Sequence, residues 1–345
     1  MPSPLIRIGT RASRLALWQA NSVALQLKGL GVSVEIVEIH TQGDANQSGP
    51  VVELGLQGLF TKEIQAAVLA ERVDIAVHSL KDLPTGCTTG LALAAVGERE
   101  SCADALVTSA ADSLGALPPG SRIGTGSLRR QAQLKHLRPD LVVTDIRGNV
   151  DTRLRKLAEG QVDALVLAAA GLQRLEMGEL ITEILGPPRI LPAPGQGALG
   201  IECRANDRST FEMLARLEHT ETRSATDAER AMLARLHAGC SAPVGAWGRI
   251  EQGELVLDGL VASLDGQQVL KASASGPPET ASALGDQVAA ELLAQGAEAI
   301  IQTARNLFAK IDNFGFFAFL PRFGSFDAFT LTTLLGFFLF LFGFS

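Results

Sequence analysis

From residue 5 to about residue 200, short apolar runs alternate with segments of helical periodicity. Such a chain can bury its runs only as strands of open α/β sheets with helices packed on their faces. Leu5–Thr10 predicts a strand, and Ser13–Lys28 a helix with Leu17, Ala20, Ala24 and Leu27 on one stripe and Gly29 as its stop. Val32–His40 predicts a second strand, Gln42–Gly58 a Gly-, Gln- and Asn-rich loop, Thr61–Glu71 a helix and Asp74–His78 a third strand. An echo divides this stretch: Arg7-Ile8-Gly9-Thr10 returns as Arg122-Ile123-Gly124-Thr125, and Ala70-Glu71-Arg72-Val73-Asp74 returns, one residue longer, as Ala158-Glu159-Gly160-Gln161-Val162-Asp163. Same order and same position beside a strand imply two similar α/β lobes. Beyond Glu202 the pattern changes to a helix opened by the capping box Thr226-Asp227-Ala228-Glu229 and running to about His237, with Gly239 ending it and Cys240 on the loop beyond. Strands at Val244–Ile250 and Glu254–Leu264 and a helix near Ala281–Gln295 follow, a smaller α+β domain.

Charge narrows the partners. With 30 Lys and Arg against 37 Asp and Glu, the net charge of −7 argues against a nucleic-acid backbone, which needs a basic face. The four cysteines, Cys87, Cys102, Cys203 and Cys240, have neither metal-ligand nor disulfide-framework spacing, so no metal is expected and reduced thiols in the cytoplasm fit best. Cys87, Cys102 and Cys203 read as small core residues. The N-terminus lacks the basic-then-apolar layout of a secretory signal. No membrane contact is expected for residues 1–305. The tail differs: 13 of the 15 phenylalanines lie between Phe308 and Phe344, and Ala328–Ser345 carries no charge. A membrane anchor, a buried or dimer-forming helix and a non-native or poorly ordered extension compete there, and the last is favoured because a run so rich in Phe and Gly resembles nothing before it.

Four constellations could carry chemistry. Thr10-Arg11-Ala12-Ser13 lies between a strand and a helix and is mirrored by Thr125-Gly126-Ser127-Leu128-Arg129-Arg130. Each joins the N–H groups of a helix start to hydroxyls and guanidiniums, a combination suited to carboxylate or phosphate, although ordinary N-capping by Ser13 and Ser127 explains part of it. Asp145-Ile146-Arg147-Gly148-Asn149 leads into a helix bearing Arg153, and Arg174 follows the strand Val162–Ala168, which sets three more arginines at sheet edges. The strand before Ser79-Leu80-Lys81-Asp82-Leu83-Pro84 delivers a cation beside a carboxylate, where that carboxylate stays ionised and can offset a positive intermediate. Finally, Leu191-Pro192-Ala193-Pro194-Gly195-Gln196-Gly197-Ala198 is either a hinge or a ligand-approaching turn.

Together these motifs resemble the hydroxymethylbilane synthase (porphobilinogen deaminase) family. The residues that carry the resemblance are Thr10 to Gln19, His78 to Pro84, Gly124 to Gln131, Arg147 to Leu154, Ala168 to Leu175, Leu191 to Glu202, and Ala228-Glu229-Arg230 leading to Gly239-Cys240-Ser241-Ala242-Pro243-Val244-Gly245. It covers roughly residues 5–305. It implies two lobes similar to periplasmic binding proteins, residues 1–97 with 199–217 and residues 98–198, then a cofactor-carrying α+β domain, 218–305, and a tail, 306–345, with no counterpart. It also implies a monomeric transferase that links four porphobilinogens head to tail on a dipyrromethane primer thioether-linked to Cys240, losing ammonia each time, and then releases the tetrapyrrole by hydrolysis. Asp82 matches the catalytic carboxylate. Lys81, Ser79, Thr125, Ser127, Arg129, Arg130 and Asp82 would hold the cofactor, and Arg11, Ser13, Gln19, Arg147, Arg153 and Arg174 the substrate. Each porphobilinogen brings an acetate and a propionate, for which arginine offers two-pronged pairing that lysine cannot.

Two departures stand out. Gly126 replaces a hydroxyl residue common in the family, and Gly55–Phe60 lacks the lysine usual in that loop. Two rival classes were weighed. A non-catalytic two-lobed binding protein for a small carboxylate would need a signal sequence and no Cys240 motif, and an RNA binder would need a basic domain with interleaved aromatics, whereas residues 1–305 hold no Tyr and two Phe.

Overall fold

The computed structural model describes residues 5–39, 61–239 and 242–306. The chain divides into two units, residues 1–305 and 306–345; apart from its first residue the second lies outside the described residues, as do the predicted loop Gln42–Gly58 and Cys240.

The first unit holds two five-stranded sheets and one three-stranded sheet. In chain order the strands are β1 (Leu5–Thr10), β2 (Ser33–Glu38), β3 (Ile75–Ser79), β4 (Leu91–Val96), β5 (Asp104–Val107), β6 (Arg122–Gly124), β7 (Val142–Thr144), β8 (Ala164–Ala168), β9 (Glu183–Leu185), β10 (Leu199–Arg204), β11 (Val244–Glu251), β12 (Glu254–Ala262) and β13 (Val269–Gly276). The first sheet runs β2-β1-β3-β10-β4 and the second β7-β6-β8-β5-β9. Each has three parallel strands, then one antiparallel to both of its neighbours. The uniform alternation of the sequence predicts parallel sheets; the reversed strands arise because the chain crosses between lobes after β4 and returns after β9, so β5 and β10 each enter a sheet from the opposite side.

The echo has a physical cause. Arg7 on β1 is held two-pronged by Asp74, with Nε and Nη2 donating at 3.0 and 2.8 Å and its backbone N–H donating to the same carboxylate at 2.9 Å. Arg122 on β6 repeats the arrangement with Asp163 at 3.2, 2.8 and 2.7 Å. In each lobe the clasp pins the strand that carries the arginine, β1 or β6, to the residue just before its parallel neighbour, β3 or β8, which fixes their register. The helix Arg14–Gly29 then buries Ala20, Val23, Ala24 and Leu27 on the first sheet, and Leu128–Leu137 buries Leu134 on the second, while its Ala132 packs with Leu191, Leu260 and Ala262. The first helix ends at Gly29 with Leu30 as its C-cap, and the left-handed residue beyond it is Gly31, with φ 82°.

The third part packs the antiparallel sheet β11-β12-β13 against the helices Thr220–Arg235 and Ala281–Ala294. The strand β13 was not predicted, although Val269–Gly276 alternates in exposure along its length. The predicted capping box is also corrected. The helix begins at Thr220 with His219 as N-cap, so Thr226 sits mid-helix, where its buried hydroxyl donates to the Thr222 carbonyl at 2.8 Å. The helices approach closely because Gly285 has no side chain; a Cβ there would press on the Ala228 carbonyl oxygen and stand 2.7 Å from the Ala231 Cβ.

Both crossings, residues 97–103 and 186–198, pass through one region and touch backbone to backbone. Gly197 has φ 90°, and a Cβ on it would collide with the Glu100 carbonyl oxygen and stand 2.9 Å from that of Ser101. Gly197→Ala is therefore expected to destabilise the fold by about 2–4 kcal/mol, combining left-handed strain with a backbone clash, as measured by urea denaturation.

Candidate active site

The cleft is built at the carboxyl ends of the strands of both lobes. In the first, β3 ends at Ser79 and turns at once through Leu80–Asp82. Leu80 is fully buried and its N–H donates to the Ala198 carbonyl at 3.0 Å, so the next two side chains cannot drift. From the third domain, Arg230 donates to the carbonyls of Leu83 (3.2 Å) and Pro84 (2.6 Å), bracing the far side of the same turn. Gln19 donates to the Ser79 hydroxyl at 2.8 Å. Arg11, Ser13, Gln19, His78, Ser79 and Asp82 line one pocket there. Asp82 is exposed to it, and its carboxylate accepts no hydrogen bond among the described residues. Behind the pocket, Glu202 accepts from Gln65 at 3.1 and 2.9 Å and stands 3.2 Å from His78 Nε2.

In the second lobe Ser127 caps the helix Leu128–Leu137, accepting from the Arg130 N–H, and Thr125 accepts from the Ser127 N–H at 3.3 Å. Ser13 caps the first-lobe helix in the same way. The cleft hydroxyls therefore do serve as caps. Arg129 and Arg130 are not solvated: both are buried around Asp104, the first residue of β5. Arg129 Nη1 donates to Asp104 at 2.8 Å and to the Leu191 carbonyl at 2.7 Å, and Arg130 Nη2 donates to Asp104 at 2.7 Å. Burial alone would raise the Asp104 carboxyl, but the two guanidiniums hold it well below the ordinary carboxylate range.

The carboxylates nearby, Asp82, Asp104 and Asp145, are fewer than the cations around them. Burial, then the charge of Arg130, pushes Lys81 down to about 8. The same two causes push Arg153 down to about 10. The buried Nε atoms of Arg129, Arg130 and Arg174 and Nη1 of Arg147 have no hydrogen-bond partner. Arg147 is otherwise held by Asp145 (2.8 Å), Arg153 by the Gly148 carbonyl (2.8 Å) and Arg174 by the Gly197 carbonyl (2.6 Å), with the Arg174 guanidinium 5.6 Å from the Trp18 ring across the lobes. At the rim, Arg14 and Asp151 join the lobes at 2.7 Å. The arrangement presents fixed donors and surplus positive charge to an anionic guest, with one carboxylate, Asp82, placed among them.

Sequence reasoning missed several residues. Asp104 and Arg99 carry no expectation in the sequence reading, and Glu229 enters it as part of a capping box and of the Ala228-Glu229-Arg230 motif, without its role as a buried counter-charge. Glu229 is fully buried and accepts from Arg99 Nη1 (2.7 Å) and from the backbone N–H groups of Gly195 (2.6 Å) and Gly248 (2.7 Å). A charged residue opening the wholly buried strand Asp104–Val107 was the available signal, since a buried charge demands a partner. Of the cysteines read as core, only Cys203 is buried; Cys102 is half-buried and Cys87 exposed on the loop after Asp82. Among the described residues no cluster of His, Cys, Asp or Glu suits a metal, and no helix is long and apolar enough to cross a membrane.

A family model described as porphobilinogen deaminase, dipyromethane cofactor binding domain, matches residues 6–212, and one described as porphobilinogen deaminase, C-terminal domain, matches residues 224–294. The chain is 50% identical over 303 residues to a porphobilinogen deaminase of Syntrophotalea carbinolica, covering 87% of this chain and 96% of that protein. It is 48% identical over 304 residues to that of Pelobacter propionicus, covering 88% and 98%. Among solved structures it is similar to the methionine-binding protein MetQ (12% identity, TM-score 0.42, 62% of this chain and 89% of that one). A periplasmic substrate-binding protein of Coxiella burnetii is also similar (14%, 0.40, 65% and 96%).

Asp104→Asn should cost about 3–5 kcal/mol at neutral pH, because two buried guanidiniums lose their counter-charge. Since the folded carboxyl lies below its unfolded value of about 4, its contribution is full above that pH and fades as the pH falls further. The difference between wild type and variant in urea denaturation should therefore shrink below about pH 4.

Proposed function

Because the chain belongs to the porphobilinogen deaminase family, we propose that its cleft polymerises four porphobilinogens head to tail with loss of ammonia and releases the linear tetrapyrrole by hydrolysis. The observation that carries this reading is the excess of cationic over anionic side chains around the cleft. Lys81, Arg129, Arg130, Arg147, Arg153 and Arg174 gather about Asp82, Asp104 and Asp145, and burial together with the charge of Arg130 holds Lys81 and Arg153 below their ordinary values. Porphobilinogen brings two carboxylates, so a growing chain supplies at each addition the charge this cleft lacks.

A dipyrromethane fits these residues, since its carboxylates would meet the positive charge gathered around the cleft. When bound it supplies the pyrrole end to which substrate is added. Cys240, outside the described residues, is its proposed attachment point. We assign Lys81, Ser79, Thr125, Ser127, Arg129 and Arg130 to holding it, with the buried Arg129 and Arg130 acting through their positive charge. Arg11, Ser13, Gln19, Arg147, Arg153 and Arg174 are assigned to the incoming substrate. Asp82 is the proposed catalytic residue. Exposed in the pocket and clear of other hydrogen bonds, it can accept pyrrole N–H groups and offset positive charge as the new carbon–carbon bond forms. Residues 1–97 with 199–217, 98–198 and 218–305 are the corresponding domains. The free thiols Cys87, Cys102 and Cys203 suit the reducing cytoplasm, and the monomeric state follows the family resemblance alone.

Intact mass spectrometry tests the cofactor assignment: the purified chain should exceed its sequence mass by one dipyrromethane, and Cys240→Ser should not. An active wild type of unmodified mass would refute it. Asp82→Asn should keep the adduct but turn over porphobilinogen about a hundredfold or more slowly, the usual effect of losing a preorganised electrostatic partner. Near-normal kcat in that variant would remove Asp82 from the chemistry.

A further inference from the structure

The turn Gly195-Gln196-Gly197, on the return crossing between the lobes, is bound on every side. Gln196 is almost wholly buried, its backbone carbonyl accepts from Arg99 Nε at 2.8 Å, and the Gly197 carbonyl accepts from Arg174. Its side chain has one orientation that works. The amide Nε2 faces only acceptors, donating to the Cys102 carbonyl at 2.7 Å, the Ala103 carbonyl at 3.3 Å and Asp104 Oδ1 at 2.8 Å. That leaves Oε1 to accept from Lys81 Nζ at 3.2 Å. A flipped amide would set an oxygen against three oxygens and N–H groups against an ammonium.

We infer that Gln196 is a positioning residue for the polymerisation. Its amide spans from Lys81 of the first lobe to the carboxylate holding Arg129 and Arg130 of the second, and so fixes how these cations face a shared anionic guest. The inference rests on the functional reading above and adds to it a residue which touches no substrate. Lys81 is faced by Arg129 and Arg130 from the helix Leu128–Leu137, by Asp104 from β5 and by Asp82 from its own turn. Among these, the Gln196 oxygen is a neutral acceptor. It orients the ammonium without neutralising it, and leaves the charge for a ligand carboxylate. A glutamate there would pair with Lys81 while standing against Asp104, and an apolar side chain would remove the acceptor and leave Asp104 one donor short.

The test uses the full chain with Gln196→Leu, Gln196→Glu and Gln196→Asn. The pH dependence of Lys81 acylation by acetic anhydride is read by peptide mass spectrometry, and the alkaline limb of kcat/KM for porphobilinogen is measured alongside. Gln196→Leu should move both midpoints to lower pH by about one unit, and Gln196→Glu should move them upward, since the charged amine loses or gains a stabilising partner. Gln196→Asn, whose amide is withdrawn by one methylene, should fall on the same side as Gln196→Leu. In a double-mutant cycle with Lys81→Met, the KM effect of Gln196→Leu should shrink to near unity. Midpoints unmoved in folded variants, or a fully additive cycle, would overturn the inference. So would loss of folded protein in all three variants, which would assign Gln196 to the hinge alone. A wild type that turns over no porphobilinogen would refute the assigned function instead, and the Lys81 acylation midpoints would still decide this inference.

Discussion

Asp104 is the charge on which the cleft is organised. A lone carboxylate taken out of water would be protonated or expelled, and two lone guanidiniums would cost still more; brought together, each makes the others tolerable. The geometry is selective about which donors Asp104 uses. It takes terminal nitrogens of Arg129 and Arg130 and the amide of Gln196, leaving the Nε atoms of both arginines unsatisfied. One negative charge thus holds two positive ones in place without cancelling them. The excess is felt at a distance, since Arg130 is the leading charge depressing both Lys81 and Arg153.

Position in the chain explains why this interaction matters beyond its own residues. Asp104 begins the strand that follows the first crossing, and Gln196 lies in the second, so the bond between them ties the two connections between lobes. Arg99, a few residues before Asp104, carries the tie into the third part through Glu229, which also receives the N–H groups of Gly195 and Gly248. Burial would lower the Arg99 guanidinium, yet Glu229 outweighs it and the arginine is raised, the sign of a pair that stays ionised. Hinge, arginine pair and third domain share one buried polar network. Such a network specifies geometry only if most of its members are satisfied.

What could be read from sequence followed the range of the interaction. The strand starts, the N-caps Ser13 and Ser127 and the turn bearing Lys81 and Asp82 depend on neighbours a few residues away, and the pattern displays them. The repeated Arg–Gly–Thr strand with its distant Asp was visible as an echo, although its cause, a two-pronged clasp over 67 residues in one lobe and 41 in the other, needed coordinates. Residues acting across the whole chain left no local trace. Glu229 has the spacing of a capping box but serves Arg99, 130 residues away, and Gln196 reaches 92 residues back to Asp104. The reversed strands β5 and β10 were hidden for the same reason, since the residues of a strand do not announce the direction of its neighbours.

A cleft that gathers more positive than negative charge in buried surroundings carries a cost. Water can hydrate Arg147, more than a third of whose side chain is exposed, but not the inward nitrogens of Arg129, Arg130 and Arg174. That cost must be carried by interactions elsewhere, and the candidates are the apolar cores of the three parts together with the clasps at Asp74 and Asp163. In return the positive charge is already in place when a carboxylate arrives, held by Asp104, Asp145 and the backbone carbonyls rather than assembled around the guest. A lysine-lined cleft would face the same burial cost with point charges that lose their protons more readily, as Lys81 already does. Guanidiniums keep theirs, so a chain that gains carboxylates at every addition continues to meet fixed positive charge as it lengthens.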